Sequence, residues 1–216
     1  MKGDSIVIEK HHRAAAAGIC EILLPVITTG GGKFVITVAG ESGSGKSETA
    51  AAIAERLAQD GVDSFIFQQD DYFVHPPKSN DRVRREDIGW VGPQEVKLDL
   101  MDEHLAQFRA GAVLIDKPLV IYEEDQVDRE QANTGGARVA IAEGTYTTLL
   151  DNADCHVFID RSYEQTRAHR EKRRRHDSEL DPFIDRVLAI EHDIIATHKQ
   201  RAQLIVNANY SVSRAR

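Results

Sequence analysis

The sequence predicts an α/β protein: a doubly wound, mostly parallel sheet with helices on both faces and a helical lid. Three observations carry that expectation. Short apolar runs of strand length alternate with longer stretches of helical periodicity, the pattern of parallel strands joined by crossover helices. The runs are nearly continuous in apolar residues, as strands covered on both faces must be. The first of them leads directly into a glycine-rich turn that opens a helix.

The elements follow in chain order. Residues 13–24 carry four alanines and then Ile19, Ile22, Leu23 and Leu24. That spacing predicts a helix with one apolar face, ended by Pro25. Gly30, Gly31 and Gly32 then separate an N-terminal helical extension, residues 1–33, from a main domain over residues 34–216. Residues 34–39 form the first strand. Residues 47–59 form a helix with Ala50, Ile53, Ala54 and Leu57 on one face, and 63–68 a second buried strand. Residues 94–110 predict a helix through Val96, Leu98, Leu100, Met101, Leu105 and Phe108. Strands are expected at 138–142 and 156–159, helices at 164–175 and 182–200, and a last strand at 204–206.

The bulk numbers narrow the function classes. The chain has 216 residues, 41% hydrophobic and 29% charged, with a formal net charge of −8. This describes one soluble globular domain with room for a lid or an extension. The acidic balance gives no general attraction to nucleic acid or anionic lipid, so neither is expected as a partner. No apolar run approaches the ~20 residues that span a bilayer, and no secretory signal opens the chain. Cys20 and Cys155 are far apart, without metal or redox spacing, and read as reduced thiols. A cytoplasmic protein is expected, with its oligomeric state open. Nine histidines are present, none paired at i, i+4 on a helix. His11, His12, His192 and His198 read as packing or surface residues.

In a doubly wound sheet, ligands sit beyond the carboxyl ends of the strands. After 34–39 come Gly40, Glu41, Ser42, Gly43, Ser44, Gly45, Lys46 and Ser47. They match G-x-x-x-x-G-K-S/T, with a strand before and a helix after. The glycines let backbone N–H groups converge on one concavity, and the following helix turns its positive end to the same place. Lys46 would set its ammonium on the β- and γ-phosphates, and Ser47 would offer its hydroxyl to magnesium. Glu48, in the first helical turn, is grouped with this cradle. The expected fold is therefore that of P-loop nucleoside triphosphate hydrolases.

The second strand end carries Gln69, Asp70, Asp71, Tyr72 and Phe73. Two adjacent acids repel each other unless a cation or a substrate proton uses them. Asp70 would accept the proton of an attacking hydroxyl, or reach magnesium through water. A capping or turn role is the plainer alternative, and weighs most on Asp71. Beyond strand 138–142 stands Glu143, followed by Gly144, where a carboxylate would hold a magnesium-bound water or cap a helix near Thr145. Arg161, Arg167, Arg170, Lys172, Arg173, Arg174 and Arg175 form a basic segment. It would be a solvated face, a nucleic-acid contact, or a lid that neutralises transition-state charge. The P-loop favours the lid, with Arg170 and Arg174 on one face. Tyr72, Phe73, Trp90 and Tyr122 are candidates for the wall of an acceptor pocket, or for core. His75, Pro76 and Pro77 read as a rigid turn in an acceptor loop.

With these residues in place, the chain resembles the uridine kinase and phosphoribulokinase family of P-loop kinases. The resemblance runs from about Phe34 to Tyr210. It rests on residues 40–47 and 69–73, on the stretch 93–105, on Lys117, Pro118 and Tyr122, on Glu143 with Gly144, and on the arginine segment. It implies an ATP- and magnesium-dependent kinase acting on a hydroxyl of a small molecule. Asp70 would be the base, Ser47 and Glu143 would lie at magnesium with Asp70 beside them, and Arg170 and Arg174 would reach the phosphates. Asp71, Tyr72, Trp90 and Tyr122 would lie on the acceptor side. The chain also departs from the nucleoside kinases of that family. Trp90, Val91 and Gly92 precede Pro93 where those kinases place an acid, and no histidine follows Tyr122 through Val127. A regulatory ATP-binding protein or an ATPase without acceptor is the alternative. A GTPase would show an N-K-x-D motif, which is missing, and a motor-type ATPase would pair Asp with Glu where Ala142, Glu143 and Gly144 stand.

Overall fold

The computed structural model describes residues 6–167 and 181–215. Helix α1 (Lys10–Thr29) precedes strand β1 (Phe34–Gly40), and helix α2 (Lys46–Gln59) crosses over to β2 (Ser64–Gln68). Helices α3 (Pro77–Glu86) and α4 (Leu98–Arg109) lead to an antiparallel hairpin of β3 (Leu114–Ile121) and β4 (Gln126–Asn133). Then come β5 (Val139–Glu143), β6 (Cys155–Ile159), helix α5 (Pro182–Ala196), β7 (Leu204–Val206) and β8 (Val212–Arg214). The main sheet has the order β2-β5-β1-β6-β7-β8. It is parallel as far as β7, and β8 alone runs antiparallel.

All five expected strands are present, each within a residue of its expected bounds. Their apolar continuity has a direct cause, visible in β1. Ile36 and Val38 face the core formed by α1 and α2, while Val35 and Ala39 face the opposite core with α4. A strand sandwiched in this way must be apolar at successive positions. Each fully buried aliphatic side chain contributes about 1.5–3 kcal/mol.

The structure corrects several element bounds. Pro25 does not end α1, which runs on to Thr29. The lost backbone bond is offset by burial of Ile27 two residues on, and the Thr28 and Thr29 hydroxyls bond back to the carbonyls of Leu24 and Pro25. The helix then stops at Gly30, whose N–H returns to the Val26 carbonyl. Helix α4 begins at Leu98, because Pro93–Glu95 wind into a 3-10 turn that buries Glu95. Helix α5 stops at Ala196 and continues only as the 3-10 turn Thr197–Arg201. Near Thr145 stands a short 3-10 turn, Thr147–Leu149, and no α-helix. Of the helix expected at 164–175, a helical turn at 163–167 lies within the described residues.

Helix α3 and the β3–β4 hairpin have no counterpart in the sequence reading. Pro77 starts α3 without a local cap. The first two N–H groups of the helix, from Lys78 and Ser79, are taken instead by Asp125 Oδ1 at the hairpin tip, at 2.8 and 3.1 Å. Burial alone would raise the Asp125 pKa, but these bonds and the Ser79 hydroxyl hold it below its ordinary value. Asp125 thereby fixes α3 to the hairpin from across the chain.

Candidate active site

A cleft opens beyond the ends of β1, β2 and β5. It is lined by Ser42, Gly43, Lys46, Ser47, Asp70, Phe73, Pro77, Arg84, Tyr122, Glu143, Thr145 and Glu191. Its floor is the loop after β1. Gly45 adopts φ +92°, and a Cβ there would stand 2.9 Å from His12 Nε2, so α1 closes the back of the loop against a glycine. Lys46 Nζ donates to the Glu41 carbonyl at 2.9 Å. Burial pushes the Lys46 pKa down, against the pull of Glu143 and Asp70. The Ser44 and Thr49 hydroxyls are buried there and have no partner among the described residues.

Sheet register brings the two acids together. Gln68 of β2 pairs with Glu143 of β5, so Asp70, two residues on, stands beside that carboxylate. Gly144 makes this close approach practicable: at φ +156°, a Cβ would fall 2.2 Å from Gln69 Cβ. Gln69 Oε1 accepts the Tyr146 N–H at 2.7 Å and ties the two strand ends together. Glu143 is buried and accepts from Ser47 Oγ at 3.1 Å. Burial and the charge of Asp70 push its pKa up to about 7, against Lys46 and the Ser47 bond.

The remaining expected site residues are distributed as follows. Gly40, Ser44 and Gly45 form the loop itself, and Ser42 and Gly43 line the cleft. Glu48 is buried in the first turn of α2, behind the lining residues. Tyr122 lines the cleft, with Lys78 Nζ 5.3 Å from its ring centroid. Three acceptor-side candidates do not line it. Asp71 is turned into the hairpin, where its carboxylate accepts from Lys117 Nζ at 2.7 Å and from the Val120 N–H at 3.1 Å. Tyr72 is wholly buried, with its hydroxyl 2.9 Å from His104 Nδ1. Trp90 donates its indole N–H to Asn80 Oδ1 at 2.9 Å, behind α3. Arg170 and Arg174 lie outside the described residues.

Several residues enter the site that no motif announces. Arg84 and Glu191 line the cleft, and Glu95 lies directly behind Arg84. Glu41, inside the P-loop, accepts the Tyr163 N–H at 2.6 Å and pairs with His192 Nδ1 at 2.8 Å. Thr166 Oγ1 donates to the Ser42 carbonyl at 3.0 Å, so the turn at 163–167 is anchored to the phosphate loop. Helical spacing of Asp81 and Arg85 is the one signal that could have marked the helix carrying Arg84.

A P-loop after the central strand, a lysine at its end and two acids beside it define the class: an ATP-dependent kinase of small molecules that carry a hydroxyl. The chain belongs to the Phosphoribulokinase / Uridine kinase family, whose sequence model matches residues 35–211. It is 31% identical over 192 residues to the bifunctional alpha-galactosidase/sucrose kinase AgaSK of Mediterraneibacter gnavus, covering 83% of this chain. It spans only 20% of the length of that relative. It is 28% identical to a uridine kinase of Shewanella piezotolerans, over 80% of this chain and 86% of that protein. In fold it is similar to D-glycerate 3-kinase from Cryptococcus neoformans, with a TM-score of 0.61, 11% identity, and coverage of 96% of this chain and 100% of that one. Among the described residues no helix is long and apolar enough to cross a membrane.

Proposed function

We propose that the chain transfers the γ-phosphoryl group of ATP, with magnesium, to a hydroxyl of a sugar-type acceptor. The supporting observation is the meeting of Lys46, Ser47, Asp70 and Glu143 in one cleft from three strand ends. Asp70 orients the acceptor hydroxyl and takes its proton as the oxygen bonds to the γ-phosphorus. The bond from phosphorus to the bridging oxygen breaks, and ADP leaves with that oxygen. Lys46 and the loop N–H groups hold the β- and γ-phosphates in line.

Ser47 and Glu143, with Asp70 adjacent, would hold magnesium. A half-buried hydroxyl bonded to a buried carboxylate whose pKa is pushed up to about 7 is a donor set in want of a cation. Among the described residues no group of three or more His, Cys, Asp or Glu forms a metal cage. A magnesium site that draws on substrate phosphates and one or two carboxylates needs none. Bound there, the metal would neutralise charge on the phosphates.

Sugar-type acceptors are favoured over nucleosides by Val91 and Gly92, which precede Pro93 where nucleoside kinases of the family carry an acid. The sucrose kinase relative points the same way. The test is ADP release by the full chain with magnesium ATP, alone and with free sugars, polyols and nucleosides. Stimulation by a sugar or polyol is expected. Turnover indifferent to every hydroxyl compound would replace this reading with an ATP-binding or ATPase function.

A further inference from the structure

The far wall of the cleft carries a charge cluster that the transfer step itself does not use. Arg84 of α3 donates through Nε to Glu95 Oε1, and through Nη2 to Glu95 Oε2 at 2.8 Å and Glu191 Oε1 at 3.1 Å. Glu95 is wholly buried. It also accepts from Asn80 Nδ2 at 3.0 Å and from the Gly92 N–H at 3.1 Å. Asn80 in turn is held by the Trp90 indole at 2.9 Å. The guanidinium plane is thus fixed by both oxygens of a carboxylate that cannot move. Its Nη1, with two N–H groups, has no partner among the described residues, and the side chain is 17% exposed, at the cleft.

We propose that Arg84 selects the acceptor, its Nη1 donating to hydroxyls of an uncharged polyhydroxy compound, and that this wall rejects acceptors already carrying a phosphate or a carboxylate. The inference rests on the kinase reading above and narrows it. A hydroxyl accepts from Nη1 and can donate to Glu191 beside it, whereas an anion only accepts. The charge balance separates the two. One guanidinium faces two carboxylates, with Asp70 and Glu143 further along the same cleft. Burial pushes the Glu191 pKa up and Arg84 pulls it back. In either protonation state of Glu191 the cluster has no positive charge in excess. Lys46 is committed to the phosphate loop, and Lys78, outside the lining, lies by the Tyr122 ring and donates to the Glu123 carbonyl at 3.0 Å, so no cation that lines the described cleft is left for a second anion. Arg84 in this setting supplies direction and hydrogen bonds, with its charge already matched.

The test compares free hexoses, disaccharides and polyols with their phosphate monoesters and sugar acids, by ADP release from the full chain. At least one neutral compound should exceed its anionic counterpart by about a hundredfold or more in kcat/KM. Arg84→Lys keeps the charge but loses the fork, and should raise the acceptor KM about tenfold with the ATP KM within about threefold. A merely structural arginine would move both constants together or neither. Should that variant fail to fold, the double variant Arg84→Met with Glu95→Leu removes the buried pair together. It should bind ATP normally and lose acceptor saturation. Glu191→Gln should raise the anionic-to-neutral ratio about tenfold. Best turnover with an anionic acceptor, or an unchanged acceptor KM in the Arg84 variants, overturns this inference and leaves the kinase reading standing. Stimulation by no compound of either kind sinks both.

Discussion

The two ends of the cleft are built by different means. The phosphate end is made by the path of the chain: a loop of eight successive residues, a glycine at φ +92°, and one lysine in the first turn of the helix that follows. The acceptor end is made by side chains that hold one another across long sequence distances. Arg84, Glu95 and Glu191 come from three segments, and Asp125 ties a hairpin tip to the start of α3. The first construction tolerates little variation, because phosphate geometry is fixed by backbone N–H groups. The second can be retuned by single substitutions that leave the fold in place. A kinase can therefore keep its donor site and change its acceptor.

Substitutions can break or sharpen that contrast. The largest effect is expected at Asp70, which orients the acceptor hydroxyl and takes its proton. Asp70→Asn should lower kcat by about 10³-fold, with ATP affinity within about threefold by calorimetry; a parallel loss of ATP binding would place Asp70 in the donor site instead. Lys46→Ala should lower kcat by about 10²-fold or more and weaken ATP binding as well. An unchanged rate and affinity would remove it from the cradle.

A smaller effect is expected where the two ends meet. Gly144→Ala forces a Cβ to within 2.2 Å of Gln69 Cβ. It should cost about 2–3 kcal/mol, read as a thermal midpoint lower by about 5–10 °C. A variant as stable as the parent would show that the two strand ends are not tightly coupled.

Glu143 gives the contrast a pH dependence. Its pKa is raised from 4.5 to about 7 in the folded chain, because burial and Asp70 disfavour the carboxylate. Between these values the unfolded chain gives up the proton and the folded chain keeps it, so stability falls as pH rises through this window. In metal-free protein the contribution is on the order of 3 kcal/mol. Denaturant titrations should show that slope flattened in Glu143→Gln. Identical profiles would mean that Glu143 is ionised throughout. The smallest effect belongs to Asp125→Ala, which removes the cap on α3. It should cost about 1 kcal/mol and raise the acceptor KM a few fold while sparing the ATP KM, a split visible in steady-state kinetics.

This difference in construction also governs what could be read from the chain. The phosphate loop and the strands were legible because their signals are local: a contiguous motif, and apolar runs demanded by burial on two faces. Asp70 and Glu143 were legible as strand-end acids, since register in a parallel sheet brings such residues together. Helix α3 was not, because Pro77–Glu86 has almost no apolar face and is held by ion pairs and a cap from Asp125. Asp71 and Tyr72 looked like acceptor residues by proximity to Asp70. Their direction depends on Lys117 and His104, which no local pattern links to them. Glu95 lay inside a stretch that read as helix, where its four bonds to Arg84, Asn80 and Gly92 leave no trace. Pro25 misled because an average preference gave way to the burial of Ile27.

The central claim is phosphoryl transfer from ATP to a carbon-bound hydroxyl in this cleft. Phosphorus NMR of a reaction with magnesium ATP and the most stimulating neutral acceptor addresses it directly. The expected spectrum shows a new phosphomonoester accumulating one for one with ADP, and neither signal growing with Asp70→Asn. ADP appearing with inorganic phosphate alone would contradict the account.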